Sequence, residues 1–149
     1  MVTKADLENA LKDAMREQDT LRKRVLRLLL SSIKLAEIDK GAPLNEQELM
    51  ATLQKEVKSR QETIAEAERA GRSDIVQENQ AEIEVLQGYL PAAMTPVELE
   101  ELVRSVITEE GATSVSDMGR VMKTLTPRLQ GRASGKEASD VVRRLLQAN

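Results

Sequence analysis

The chain has 149 residues, of which 40% are hydrophobic, and with Tyr89 as its only aromatic residue it must build any core from aliphatic side chains and methionine. It contains no cysteine and no histidine, which excludes disulfides, zinc fingers, cysteine nucleophiles and serine–histidine catalytic relays. The formal net charge of −3 argues against a wholly basic nucleic-acid-binding protein.

The start of the sequence lacks the long apolar segment of a secretory signal, and no run of roughly eighteen uncharged apolar residues occurs. We therefore expect a soluble cytoplasmic protein with no membrane partner. The missing histidine and cysteine ligands also predict that the chain holds no metal, and we expect no cofactor.

Apolar residues at helical spacing predict two helices at the start of the chain. The first begins near Thr3 and ends at about Gln18. The second begins at Asp19 or Thr20 and ends at Gly41, because glycine readily adopts the left-handed conformation that closes a helix.

Two longer helices are predicted next. Asn45 and Glu48 form a capping box that begins the third helix, which extends to Ala70. Ser73 opens the fourth helix, and Pro91 ends it because proline disfavours a helical conformation at the preceding residue.

The fifth helix has the clearest start in the sequence. Thr95 supplies a cap, Pro96 suits the first helical position, and Glu98 completes a capping box. We expect this helix to end at Gly111, which again offers the left-handed conformation.

The last two helices are predicted from a cap, a proline and a second capping box. Ser116 is expected to cap the sixth helix, Pro127 to kink or split it, and Gly131 to end it. Ser134 and Glu137 form the capping box of the seventh helix.

These seven helices and the aliphatic composition predict an all-α fold. The first four helices would form an N-terminal helical domain of residues 1–90. Residues 91–95 would be a short linker, and residues 96–149 a C-terminal three-helix domain.

Charge is distributed unevenly along the chain. It is roughly +2 for residues 1–44, −5 for 45–90, −5 for 91–118 and +5 for 119–149. The last segment is therefore a candidate anion-binding surface. Its cations are Arg120, Lys123, Arg128, Arg132, Lys136, Arg143 and Arg144.

The turn Gly131-Arg132-Ala133-Ser134-Gly135-Lys136-Glu137 superficially resembles a phosphate loop. Its glycine spacing is one residue short, Glu137 replaces the magnesium-binding hydroxyl, and no strand precedes it. A weaker role remains, in which the first amides of the seventh helix bind an anion with Arg132 and Lys136. Alternatively, the two glycines only shape the turn and both cations are solvated.

Two other charged clusters stand out. Four glutamates share faces of the third and fourth helices, and because no histidine completes a di-iron site we interpret them as solvated; they are Glu62, Glu66, Glu78 and Glu82. Four cations occupy the start of the second helix, the unfavourable end for positive charge; they are Arg22, Lys23, Arg24 and Arg27. They either bind a partner or are neutralised by nearby carboxylates.

Several segments spread over nearly the whole chain form a recognisable pattern. They include Leu26-Arg27-Leu28-Leu29-Leu30, Leu53-Gln54-Lys55-Glu56-Val57-Lys58-Ser59-Arg60, Tyr89-Leu90-Pro91, Asp117-Met118-Gly119-Arg120-Val121-Met122 and Gly131-Arg132-Ala133. With these segments the chain resembles the GatB/YqeY family, small helical bacterial proteins similar to the tail region of the B subunit of aspartyl/glutamyl-tRNA amidotransferase.

The resemblance implies two helical domains, the second similar to an amidotransferase tail that contacts tRNA. The amidotransferase couples an amidase subunit to a kinase-like core, and this chain resembles only the tail. The family label of carbon–nitrogen ligase with glutamine as amido-N-donor would therefore be inherited, and we name no catalytic residue.

Our first hypothesis is a non-catalytic tRNA-binding or tRNA-enzyme accessory protein, with the seven C-terminal cations as phosphate contacts. Recognition would be electrostatic and shape-based, because a single tyrosine cannot provide stacking platforms. The alternative is a protein-interaction module whose third and fourth helices dock on a synthetase or amidotransferase subunit. An amide-transfer enzyme ranks last.

Overall fold

The computed structural model describes residues 2–148, and over that range the chain is all helical, with no strand. This confirms the predicted all-α class. One 3-10 turn, Val115–Asp117, precedes the sixth helix. The seven α-helices are α1 Lys4–Arg16, α2 Thr20–Lys40, α3 Glu46–Arg69, α4 Ser73–Gln87, α5 Pro96–Glu110, α6 Met118–Leu129 and α7 Gly135–Gln147.

The contacts divide the chain into two compact units, the first ending at Pro91 and the second beginning at Ala92. Each unit has its own aliphatic core. In the first unit α1 packs on α2 and α3 packs on α4, while α2 also contacts α3 and α4. The fully buried residues of this core include Leu7, Leu26, Leu29, Ile33, Leu53 and Leu86.

The helix starts of the first unit follow the predicted caps. Thr3 and Asn45 each form a capping box, and Asp19 rather than Thr20 caps α2 by accepting a hydrogen bond from the Arg22 amide at 3.1 Å. The α1 helix ends at Arg16, before the predicted Gln18, because Gln18 itself has a positive φ of 56°.

The fourth helix begins where predicted and ends earlier than predicted. It begins at Ser73, but its cap is Arg72, which makes no side-chain capping hydrogen bond. It ends at Gln87 rather than continuing to Pro91. Glycine at position 88 is a poor helix former, and the Tyr89 amide bonds to the Leu86 carbonyl three residues back, which tightens the last turn.

In the second unit the three helices α5, α6 and α7 pack against one another in pairs. Their shared core includes Val103, Val106, Val121, Leu125 and Leu146, each at most 2% exposed. The α5 start is the predicted capping box with its proline, and the helix ends at a left-handed Gly111 as predicted.

The start and end of α6 correct two predictions. Ser116 is not its cap; the Asp117 carboxylate accepts the Thr113 and Ser114 amides and so fixes a 3-10 turn ahead of α6. Pro127 does not split the helix; it lies in the last turn of α6, so the amide hydrogen bond that proline cannot make is lost at the C-terminal end and not in the middle of the helix. The helix closes at left-handed Gln130, one residue before the predicted Gly131.

A nearly buried ion pair joins α3 to α4 in the first unit. Arg60 is 8% exposed and Glu82 is 9% exposed, and the Arg60 Nε donates to a Glu82 carboxylate oxygen at 3.0 Å. Arg24 of α2 donates to the other Glu82 oxygen at 3.1 Å, and Arg60 also bonds to Glu56 at 2.8 Å. Interpreting Glu82 as solvated was therefore wrong, because two guanidinium groups hold its carboxylate between helices.

We expect Arg60→Leu to lower the free energy of unfolding by about 3 kcal/mol, because it leaves a nearly buried carboxylate with one partner fewer. Adding Glu82→Leu should recover part of that loss, since the unpaired charge is removed. Urea titrations followed by circular dichroism measure both effects. The exposed neighbour Lys58→Leu is the control and should change the free energy by less than about 0.5 kcal/mol; an equal loss in Lys58→Leu and Arg60→Leu would contradict the assignment.

Candidate nucleic-acid interface

The turn between α6 and α7 is held in place by Arg132. Gln130 and Gly131 both have positive φ, 51° and 75°, and the Arg132 amide then bonds to the Leu129 carbonyl at 2.9 Å. The Arg132 carbonyl accepts the Met94 amide at 2.8 Å. The turn is thus hydrogen-bonded to the segment that leads into α5.

The Arg132 side chain strengthens the same attachment. Its Nε donates to the Ala92 carbonyl at 2.9 Å, and its terminal nitrogen donates to Glu98 at 3.2 Å. Only 34% of the side chain is exposed. Arg132 therefore has a structural role, whatever anion it also meets.

Three other arginines predicted as phosphate contacts face carboxylates of α5. Arg128 makes a bidentate pair with Glu109 at 3.0 and 2.7 Å. Arg144 contacts Glu100 at 3.5 Å, and Arg120 lies 3.9 Å from a Glu110 oxygen and 3.4 Å from Asp117. The basic segment 119–149 and the acidic segment 91–118 carry roughly +5 and −5, so the second unit is close to neutral.

The pKa is lowered at three of the α5 carboxylates. The hydrogen bond from Arg128 lowers the pKa of Glu109. Hydrogen bonding to Arg104, with Arg144 nearby, lowers the pKa of Glu100. The capping bond from the Thr95 amide, assisted by Arg132, lowers the pKa of Glu98. Hydrogen bonds from neighbouring groups therefore favour the ionised form of these three carboxylates.

The remaining three predicted contacts form no ion pair with another helix among the described residues. Lys123 on α6 and Lys136 in the first turn of α7 are exposed, and neither forms an ion pair with any residue in the range 2–148. Arg143 pairs only with Asp140 of its own helix, at 3.7 Å, and is half exposed. Lys136 and Arg143 are seven residues apart and therefore share one face of α7.

The capping box at the start of α7 occupies amides that could otherwise bind an anion. The Ser134 hydroxyl accepts the Glu137 amide at 3.1 Å, and the Glu137 carboxylate accepts the Ser134 amide at 3.3 Å. This is the predicted capping box. Gly135 is the first residue of α7, and a Cβ at that position would meet nothing within 4 Å.

A shallow concavity of about 530 Å³ lies in the second unit beside this turn. Met94, Leu102 and Pro127 give it an apolar surface. Its two arginines, Arg128 and Arg132, are already paired with carboxylates. The concavity therefore offers apolar contact but little uncompensated positive charge.

Within residues 2–148 no group of three or more potential metal-ligating side chains comes together, and no helix is long and apolar enough to cross a membrane.

Sequence reasoning missed two sets of residues. One is the Arg60 and Glu82 pair of the first unit; the other is the set of α5 glutamates that face the predicted contacts. The adjoining segments of opposite charge were a signal for the second set.

Comparison with known proteins adds a family match and several relatives. Residues 4–146 match the family described as Yqey-like protein. Relatives named altered inheritance of mitochondria protein 41, mitochondrial, occur in Lachancea thermotolerans, at 38% identity over 70% of this chain, and in Pyrenophora tritici-repentis, at 34% over 88%. The same name applies in Eremothecium gossypii, at 38% over 66%.

The chain spans 58%, 73% and 54% of these three relatives respectively. All three are named as mitochondrial proteins, and that finding overturns the prediction of a cytoplasmic protein. Composition and the lack of a long apolar segment could not have distinguished the two compartments, because a helical aliphatic protein suits either.

The lowered carboxylate pKa values predict acid destabilisation of the second unit. A carboxyl group whose pKa is lower in the folded state than in the unfolded state stabilises the folded state when the pH is above its ordinary pKa, which is 4.5 for Glu109. This contribution is lost as the pH falls through the pKa of the folded state. We expect the midpoint temperature of thermal unfolding to decrease as the pH is lowered from about 5 to about 3. Circular dichroism melts at fixed ionic strength measure it.

Glu109→Gln should show a shallower dependence over that window than the wild type, because the variant lacks one of the perturbed groups. The matched control is Glu101→Gln, an exposed carboxylate of the same helix with no ion pair among the described residues. Equal slopes for the two variants would show that the Arg128 pair does not contribute.

Proposed function

We propose that this chain, which belongs to the family of Yqey-like proteins, is a non-catalytic tRNA-binding or tRNA-enzyme accessory protein. The family match over residues 4–146 and the resemblance to an amidotransferase tail support the proposal. The observation that carries it is the pair of exposed lysines, Lys123 and Lys136, that keep no counter-ion within the described part of a unit whose arginines are otherwise paired.

The proposed phosphate contacts fall into two groups. Lys123, Lys136 and the weakly paired Arg143 can meet phosphate without losing a partner on another helix. The other four would exchange a carboxylate for a phosphate; they are Arg120, Arg128, Arg132 and Arg144. Exposed ion pairs contribute only about 0–1 kcal/mol, so such an exchange costs little on the RNA surface.

We further propose that the two units act as separate domains, residues 1–90 and 96–149, with the tRNA contacts in the second. The separation of contacts after Pro91 supports this division. The hydrogen bonds from Arg132 and Met94 favour assigning residues 92–94 to the second domain, which would shorten the linker. An accessory role could also include binding to a synthetase or amidotransferase subunit.

We expect Lys123→Gln combined with Lys136→Gln to weaken binding of unfractionated tRNA at low salt. The slope of log K against log salt concentration should become shallower by about two, roughly one for each cation removed. Fluorescence anisotropy titrations at four salt concentrations measure both quantities.

The matched control is Lys55→Gln combined with Lys58→Gln, which removes the same charge from exposed positions of α3. This control should retain the wild-type slope. If both double variants changed the slope equally, binding would reflect net charge and not these two lysines. If the wild type bound no tRNA at low salt, the proposed function would be wrong.

A further inference from the structure

The second helix is apolar on two opposite faces. One face is buried in the first unit through Val25, Leu26, Leu29 and Ile33. On the opposite face Leu28 is 49% exposed, and Leu35 and Ile38 are each 64% exposed. Large aliphatic side chains that line one face of a helix normally pack against another element, so these three exposed side chains make the outer face of α2 a candidate contact surface.

The three exposed side chains form one stripe. Leu28 and Leu35 are seven residues apart, as are Ser31 and Ile38, so the four positions follow the spacing by which one helix contacts another. Ser31 is exposed and small, and it leaves room at the middle of the stripe. We call the surface of Leu28, Ser31, Leu35 and Ile38 the α2 stripe.

Uncompensated positive charge borders one side of the α2 stripe. Arg27 and Lys34 precede Leu28 and Leu35 by one residue, both are exposed, and neither forms an ion pair with a described residue. Of the arginines in the described part, only Arg27 and Arg69 have no ion pair, and Arg69 donates to the Ala65 carbonyl. Asp39 lies on the other side of the stripe.

This combination points to a protein helix. Aliphatic side chains gain little from a nucleic-acid surface, where recognition relies on cations and aromatic stacking. A second copy packed antiparallel would set Arg27 near Lys34 of its mate, because like flanks meet in that arrangement. An amphipathic helix with acidic residues beside its apolar face would bury the stripe and compensate both cations.

We propose that the α2 stripe is a docking surface for an acidic amphipathic helix of a partner protein. The inference is independent of tRNA binding, since the proposed phosphate contacts lie in the second unit. It also differs from the expected docking through α3 and α4, because neither of those helices carries an exposed large apolar side chain within the described residues.

The test uses a synthetic helical peptide with leucines at heptad spacing, glutamates on the flank that would face Arg27 and Lys34, and uncharged residues on the flank that would face Asp39. It is titrated into the full chain and followed by anisotropy. Leu35→Gln with Ile38→Gln should weaken binding by at least about tenfold, because two apolar contacts are lost. The control Val97→Gln with Val115→Gln, which replaces exposed apolar residues of the second unit, should bind as the wild type does.

Charge reversal separates a specific interface from simple hydrophobic adhesion. Arg27→Glu with Lys34→Glu should weaken binding of the acidic peptide. The same variant should bind more tightly a matched peptide in which lysines replace the glutamates. No binding of the acidic peptide, or binding that ignores these four positions, would overturn the proposal. Sedimentation showing a dimer that depends on Leu35 and Ile38 would also overturn it in favour of self-association.

Discussion

Opposite charges matched across helices organise both units of this protein. The core consists of aliphatic side chains, which bury well in many registers and so specify helix pairing weakly. In the first unit the Arg60 and Glu82 pair, with Arg24 added from α2, requires a particular alignment of three helices. In the second unit the glutamates of α5 face arginines of α6, α7 and their connecting turn. Breaking one partner of the nearly buried Arg60 and Glu82 pair is costly, so that pair disfavours alternative alignments of the first unit. The pairs of the second unit are exposed and contribute only about 0–1 kcal/mol each.

The same matching changes the meaning of the C-terminal cations. In the sequence they form a basic segment of roughly +5, which alone would suggest a strong attraction for nucleic acid. In the folded unit the neighbouring acidic helix supplies counter-ions to four of these seven cations, and because the two segments carry roughly −5 and +5 the long-range field is largely cancelled. Any RNA contact must then be local, through the exposed lysines and through exchange of weak surface pairs. This predicts modest affinity with marked salt dependence, not a tight nonspecific complex.

The helix starts could be predicted from sequence because they depend on local chemistry. The caps at Thr3, Asn45, Thr95 and Ser134 each use a side chain three residues away, so the signal lies within one turn. The errors at Ser116 and Pro127 arose where two signals competed. Ser114 and Asp117 also precede α6 and form the cap of the 3-10 turn, so Ser116 was not the only candidate. The effect of Pro127 depended on its distance from the end of α6, which the sequence did not fix. Glu82 could not be identified as buried, because its partners come from two other helices.

The α2 helix shows a related limit of single-sequence reasoning. Its apolar residues occupy both sides of the helix, so periodicity alone cannot tell which side faces the neighbouring helices. Only the packing of α1, α3 and α4 decides that Leu26 and Leu29 are inside and that Leu35 and Ile38 are outside. Retaining large aliphatic side chains in water has a free-energy cost that polar residues would avoid. Because polar side chains cover the outer faces of α3 and α4 on the same unit, the exposed stripe is a local feature and not a general property of this surface.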